Sequence, residues 1–281
     1  MQAHVDSKMY GTSLLKGLQM LRCFTSSEYE RGITELADAL GLAKSTVLRI
    51  ARSLEAEGFL HRVPASGRYR LGLVLWSLGN LAFERSRGLA ELGHPYLNDL
   101  VDQTRESAQT VILDGLECVR LDKVEAPQAV RAYMSEGGRF PAYVSAAGQV
   151  LLAHQPGAVT TSIVKRGLQA YTPRTITRSA ELERRLENVR CQGYAVSAGE
   201  YRGDVGGFGA PVRDGTGAVI GALGIVIPMS RFPTGTRARH IAQLLIEATT
   251  RLSRDLGYIA ERLPRDRLNA PRNGYGRRLA R

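Results

Sequence analysis

Residues 36–62 read LADALGLAKSTVLRIARSLEAEGFLHR, and this stretch decides the fold of the first part of the chain. Leu36, Ala37 and Leu40, with Ile33 just upstream, make an apolar helical stripe; Thr34 is the expected N-cap and Glu35 lies in the first turn. Gly41 is the expected stop, because glycine takes the left-handed backbone that closes a helix. A third helix is predicted from Lys44, since Val47, Ile50, Ala51 and Leu54 recur at i, i+3, i+4 and i+7. Its opposite face carries Ser45, Thr46, Arg49, Arg52 and Ser53. Beyond Gly58, FLHRVPASGRYRLG reads as two short strands around a Pro-Ala-Ser-Gly turn, with Arg62, Arg68 and Arg70 on them. Upstream, Leu14, Leu18, Leu21 and Phe24 form the first helical stripe, with Ser13 as its expected cap. Ser13 and Lys16 also spell SxxK, but with no partner motif downstream they read as a capped helix rather than an acyl-transfer centre.

Helix, glycine turn, second helix and basic hairpin is the arrangement that lays a recognition helix in the major groove of DNA. Ser45, Thr46 and the amides at the helix start suit phosphate oxygens, and Lys44 adds charge there. Arg49, one turn further, can reach guanine N7 and O6, and Leu48 can contact a thymine methyl. From Lys44 to Arg70 six cations stand against Glu55 and Glu57, so positive charge collects where the duplex would lie.

The whole chain agrees with an anionic partner: 281 residues, a formal charge of +11 and a pI near 9.9, with 43% hydrophobic residues. That length suggests two domains. Three scattered cysteines and no CxxC pair argue against a disulfide framework or zinc knuckle, and no metal or cofactor is expected. The N-terminus lacks the basic and apolar run of an export signal, and no stretch has the ~18 apolar residues of a membrane span, so a cytoplasmic protein without membrane attachment is expected. Residues 264–281 hold six arginines and one aspartate among Pro, Gly and Asn, and read as a disordered tail.

Leu71 to Arg87, with Leu71, Val74, Leu75, Leu78, Leu81 and the sole Trp76, reads as a linker helix that packs on its copy in another subunit. A second helix is predicted over Leu89 to Thr104. Strands are predicted at Ala108–Leu113, Glu117–Lys123, Val130–Met134, Tyr194–Ser197, Phe208–Arg213 and Ala218–Ile227, with turns at Asp114-Gly115 and Asp214-Gly215. Helices are predicted near Ala146–His154, Ala180–Arg190 and Thr236–Arg262. The expected class is α+β, with helices on one face of a mainly antiparallel sheet and a pocket on the other. Ser145-Ala146-Ala147-Gly148 opens a helix with small residues, which either exposes amides to a carboxylate or lets the helix pack closely on the sheet.

Taken together, SLLKGLQML, ITELADALGLAKSTVLRIARSLEAEGFL and GRYRLG resemble the winged helix-turn-helix of the IclR family of bacterial transcription regulators. GRFPAYVSAAGQVLLA, GYAVSAGEY and GAPVRDGTGAVIGAL resemble segments of that family's second domain. The resemblance implies a winged helix-turn-helix over residues 10–71, a linker helix over 72–87 and a GAF-like effector-binding and oligomerisation domain over 88–263. It further implies a homodimer or homotetramer that binds operator DNA under the control of a small metabolite. Effector contacts then fall on Ala146, Ala147 and Gly148, and at Ser197 and Gly207, where family members often carry an acidic or polar residue and a Cys or Ser. Asp204 is a further departure, standing where glycine is common. These departures point to a bulkier, more apolar organic acid, such as an aromatic carboxylate of aromatic catabolism.

Enzymatic motifs are absent from the sequence. The five histidines lack HExxH spacing, and there is no Walker A run or GxSxG elbow. GTGAVIG at residues 215–221 lacks the GxGxxG spacing and reads as a hairpin turn, and Cys118 reads as a packed thiol. Three functions are carried forward: an effector-controlled transcriptional regulator, which is the expectation; an architectural DNA-binding protein whose second domain only oligomerises; and an enzyme fused to a DNA-binding domain.

Overall fold

The computed structural model describes residues 12–25, 28–132, 134 and 137–259. The predicted tail over 264–281, the end of the helix predicted to Arg262, residues 10–11 and the side chain of Leu81 lie outside the described residues. The chain forms two compact units, Met1–Arg85 and Ser86–Arg281.

In the first unit, α1 (Thr12–Leu21), α2 (Ile33–Leu40) and α3 (Lys44–Ala56) precede a hairpin of β1 (Leu60–Arg62) and β2 (Tyr69–Leu71). Met20, Leu36, Ala37, Val47, Ile50, Ala51, Leu60 and Tyr69 make one buried core. Two caps differ from expectation. Helix α1 already includes Thr12, so Ser13 lies inside its first turn, and α2 begins at Ile33 with Gly32 in the capping position. Thr34 is therefore a first-turn residue, and the Gly32 N–H donates instead to the Glu35 carboxylate at 3.2 Å. Gly41 closes α2 at φ 63°, the left-handed backbone expected of it. A short bridge also pairs Arg31 with Tyr69, adding a third strand position to the hairpin.

Helix α4 (Leu73–Thr104) is one element of 32 residues where two helices were predicted. Gly88 does not break it, and Pro95, which contributes no N–H to the ladder, is accommodated within it. Leu71 belongs to β2, so the helix starts two residues later than predicted.

In the second unit, six strands form a wholly antiparallel sheet in the order β5-β4-β3-β8-β7-β6. These are β3 (Ser107–Asp114), β4 (Glu117–Val124), β5 (Arg139–Pro141), β6 (Ala195–Ala198), β7 (Val205–Arg213) and β8 (Val219–Pro228). GTGAVIG forms the β7–β8 turn and runs into β8, with Asp214 accepting from Thr216 and Ala218. Helices cover both faces of the sheet, not one. Leu97, Leu100 and Val101 of α4 join Ile241, Leu245 and Leu252 of α8 (Gly235–Asp255) over Leu223, Ile225 and Ile227. On the other face α5 (Ala146–Ala153), α6 (Gly157–Arg166) and α7 (Ser179–Gln192) pack on Val111, Cys118, Ala195 and Ala222. The period-2 alternation of β8, with Ala222 on one side and Leu223 on the other, supplies both cores. Of Val130–Met134, predicted as a strand, the described residues are irregular, and the chain pairs with β4 only further on, at β5.

Candidate functional site

The outer face of α3 is the first candidate. Ser45, Leu48, Arg49, Arg52, Ser53 and Ala56 line a shallow hollow on it, while Val47, Ile50 and Ala51 hold the inner face in the core. Lys44, Ser45, Arg49 and Arg52 are exposed, and Thr46 and Leu48 are half-buried. Antiparallel pairing sets His61 opposite Arg70 on the exposed side of the hairpin, with Arg62 beside them opposite Tyr69. Arg68 differs. Its guanidinium donates to the Glu35 carboxylate at 2.7 Å and to the Glu30 carbonyl at 2.9 Å, so it ties the hairpin to the start of α2 instead of projecting freely toward a duplex.

That tie has a pH signature. The Gly32 N–H, followed by the Arg68 guanidinium, holds the Glu35 carboxyl below the usual carboxylate range. A carboxyl held low in the folded state favours folding above its ordinary value, about 4.3, and loses that contribution as pH falls through the folded value. Protection from hydrogen exchange of the Tyr69 amide, which bonds to Arg31 across the same corner, is expected to be lower in Glu35→Gln than in the unsubstituted chain near neutral pH. The two should converge well below pH 4.3; equal protection at all pH values would mean the tie does not hold the hairpin.

The second candidate is a cavity of about 220 Å³ on the sheet face that α5 covers, not on the opposite face. It has room for several waters or one small organic molecule. Ala146 and Ala147 line it from the start of α5, and Ser197 and Gly207, paired across β6 and β7, line it from the sheet. Burial at this helix start serves two ends. First-turn N–H groups have no acceptor within the helix, and the helix dipole adds positive potential beside them. Gly148 is a different matter: its N–H donates to the Ser145 hydroxyl at 3.0 Å, and a Cβ there would lie 2.1 Å from the Ala142 carbonyl oxygen. Gly148 is thus a close-packing residue that does not line the cavity, in line with the close-packing alternative for these small residues. The Ser197 hydroxyl donates to the Val144 carbonyl at 3.2 Å, and at Gly207 the Ile225 carbonyl closes the space a Cβ would need. Asp204 pairs with Arg202 at the rim.

Several lining residues escaped the sequence reading, foremost Arg120 and Gln109. Arg120 Nε donates to the Gln109 side-chain oxygen at 2.6 Å, and its guanidinium lies 5.5 Å from the Phe140 ring centroid. Burial pushes the Arg120 guanidinium below its ordinary value, as expected for a cation brought into a partly apolar space. Met134 and Ala132 reach the cavity from the segment after β4. That segment is tied down where Arg231 holds Glu106 at 2.6 and 2.8 Å and the Val130 carbonyl at 2.8 Å, and where Lys123 holds the Met134 carbonyl at 2.8 Å.

The loop carrying Tyr201 and Arg202 is anchored as firmly. Glu200 accepts from Gln149 at 2.7 Å and from Arg185 at 2.9 Å, and its carbonyl accepts from Thr175 at 2.6 Å. Burial raises the Glu200 carboxyl above the usual range, with Arg185 opposing the shift. Cys118 is buried, which pushes its thiol well up and leaves it an unreactive packed group. Among the described residues no helix is long and apolar enough to cross a membrane.

Known proteins share both parts of this architecture. The family model "IclR helix-turn-helix domain" matches residues 13–64, and "Bacterial transcriptional regulator IclR C-terminal" matches residues 83–254. The chain is 34% identical over 251 residues to the glycerol operon regulatory protein of Streptomyces griseus, covering 87% of this chain and 96% of that one. It is 32% identical over 250 residues to the HTH-type transcriptional regulator XynR of Escherichia coli K12, covering 88% and 98%. Among solved structures, an IclR homolog from Microbacterium hydrocarbonoxydans complexed with 4-hydroxybenzoate superposes with a TM-score of 0.73 at 26% identity, covering 87% of this chain and 98% of that one.

Proposed function

This chain belongs to the IclR family of bacterial transcriptional regulators, which bind DNA, and from that premise we propose that a small organic acid bound beside α5 controls its hold on operator DNA. The observation that carries the reading is the cavity itself, lined by Ala146 and Ala147 at a helix start and otherwise largely apolar. Met134, Phe140 and Val144 suit a flat, apolar body, and the M. hydrocarbonoxydans relative solved with 4-hydroxybenzoate favours an aromatic acid. Its relatives are named as regulators and repressors, not enzymes.

The DNA contacts follow from the exposed face of α3. Arg49, Arg52 and Leu48 meet base edges, Lys44, Ser45 and Thr46 hold the backbone at the helix start, and Arg62 and Arg70 reach phosphates from the hairpin, with Arg68 positioning that hairpin. Leu73, Trp76 and Leu78 at the start of α4 are 82%, 69% and 48% exposed, and these uncovered apolar side chains support pairing with a second copy and so two half-sites.

The test is thermal unfolding of the full chain against aliphatic and aromatic carboxylic acids. A ligand at 100 times its Kd adds about 2.7 kcal/mol of stability, a clear rise in melting temperature. Ala147→Leu, which fills the cavity at the helix start, is expected to reduce that rise while leaving operator affinity intact. If no acid raises the melting temperature, the acid-sensor reading fails.

A further inference from the structure

Resting on that reading, we propose that the Gln109 side-chain amide donates to the effector's carboxylate, as a second point of hold beside the start of α5. Three observations converge on this residue. The first is that its orientation is fixed. Arg120 Nε donates to the Gln109 side chain at 2.6 Å, and an arginine side chain has donors only, so the atom it meets is Oε1 and not Nε2. Strand β3, which carries Gln109, lies between β4 and β8. Oε1 is thus turned toward Arg120 of β4, and Nε2 lies on the β8 side, over Gly224.

The second is that Nε2 has no acceptor among the described residues, although Gln109 is only 6% exposed and lines the cavity. Buried amide donors are nearly always paired, with protein or with water, because an unpaired one keeps the full cost of leaving water. A donor held in one direction at a cavity wall therefore suits a ligand oxygen. The chain leaves room for it: a Cβ at Gly224 would stand 3.3 Å from Nε2 and 3.4 Å from Cγ of Gln109, and the amide would have to shift.

The third is register. Gln109 pairs with Gly224 and Gly224 with Gly209, so the three form one row across β3, β8 and β7. At the β7 end of that row Ala146 and Ala147 sit on Gly209, whose Cβ would lie 2.6 Å from the Ala147 nitrogen. Two residues along the strands, Val226, Gly207 and Ser197 form the next row on the same face and line the cavity as its floor. The Gln109 amide and the start of α5 therefore make one wall above that floor, over neighbouring strands about 4.8 Å apart. Both present donors, and the first turn of α5 adds the positive potential of a helix start. A carboxylate set against this wall takes one oxygen to each, and the rest of the molecule lies over Gly207.

The experiment uses the full chain with butyrate, benzoate, 4-hydroxybenzoate and phenylacetate as probes. Calorimetric titration compares the unsubstituted protein with Gln109→Met, Gln109→Glu and Ala147→Leu. NMR spectra of the unsubstituted protein follow the Gln109 side-chain amide, assigned by its absence from Gln109→Glu. A probe that binds is expected to lose about 10-fold or more in affinity in Gln109→Met, the worth of one hydrogen bond to a charged group. It is also expected to move the Gln109 amide protons and to slow their exchange with water. Gln109→Glu keeps an acceptor for Arg120 Nε, so it should fold as the unsubstituted chain does and yet lose the acids, because a carboxylate there repels another. If Gln109→Met fails to fold, the spectra of the unsubstituted protein still decide. Undiminished binding in Gln109→Met or Gln109→Glu, or amide resonances that stay in place with acid bound, would overturn the role of Gln109. Loss of the same acid in Ala147→Leu would then leave the acid-sensor reading standing. If none of the four acids binds the unsubstituted protein, both readings fall.

Discussion

Arg49→Ala is expected to cost at least about 30-fold in affinity for the operator and to leave binding to unrelated DNA nearly unchanged. One two-point contact between arginine and guanine is worth about 1–3 kcal/mol of discrimination, and a protein reading two half-sites loses it twice. Arg49 is exposed on the face of α3 turned away from Val47, Ile50 and Ala51, so its removal leaves the core of the head intact. The stability change should stay within about 0.5 kcal/mol. Fluorescence anisotropy with operator and scrambled duplexes separates the outcomes. A uniform fall on both duplexes, with a shallower dependence on salt, would make Arg49 a phosphate contact instead. Acid binding should be unaffected, because the cavity residues lie in the other compact unit. Joint loss of DNA and acid binding would contradict the division of labour between the two units.

The DNA-reading head was legible because its information is local. Gly41 ends one helix and the spacing of Val47, Ile50, Ala51 and Leu54 orients the next, so the outward set of side chains follows from the 3.6-residue period alone. What sequence alone does not show there is the tie of Arg68 to Glu35, 33 residues away in the chain. A charge on a hairpin looks the same in sequence whether it faces solvent or a carboxylate brought in by the fold.

The cavity was legible only in part, for three physical reasons. Ala146, Ala147, Ser197 and Gly207 do line it, but a run of small residues does not say which of its members makes room for a ligand and which makes room for backbone. Arg120 was missed because alternation sets it on the face of Cys118 without saying that a cavity and not packed core lies there, while the extra residue Leu121 turns Asp122 to the other face. Met134 was read as strand; among the described residues of its segment none lies in a strand, and side-chain bonds from Lys123 and Arg231 hold it. Such bonds between distant residues leave no periodic trace. The three-residue β5 is too brief to show a period, and the ten-residue α6 buries only Ile163, so it carries no apolar stripe to read. The opposite error split α4 at Gly88, between helices read over Leu71 to Arg87 and Leu89 to Thr104, where the packing of Leu97, Leu100 and Val101 on the sheet prevails over local propensity.

Gly148 decides between the two roles a small residue can have at this site, and its substitution carries the largest expected stability effect. An added Cβ would lie 2.1 Å from the Ala142 carbonyl oxygen and 2.7 Å from two further backbone atoms of Ala142. None of these is the movable end of a side chain. The short turn Ala142–Val144 and helix α5 must therefore separate, and both are held: Ala142, Val144 and every residue of α5 are buried, and Gly209 of β7 packs against Ala146 and Ala147 beneath. Overpacking a closed core costs typically about 1–3 kcal/mol, and a clash confined to backbone belongs at or above the upper end. For a unit of this size about 3 kcal/mol corresponds to roughly 6–12 °C in melting temperature. Gly148→Ala is thus expected to lower the melting temperature by that amount with or without acid present. A residue whose main task is to contact the effector would behave otherwise: its methyl would weaken acid binding while the ligand-free protein melted unchanged. Because Ser145 already accepts the Gly148 N–H, the close approach of backbone to backbone is the reason this position has no side chain.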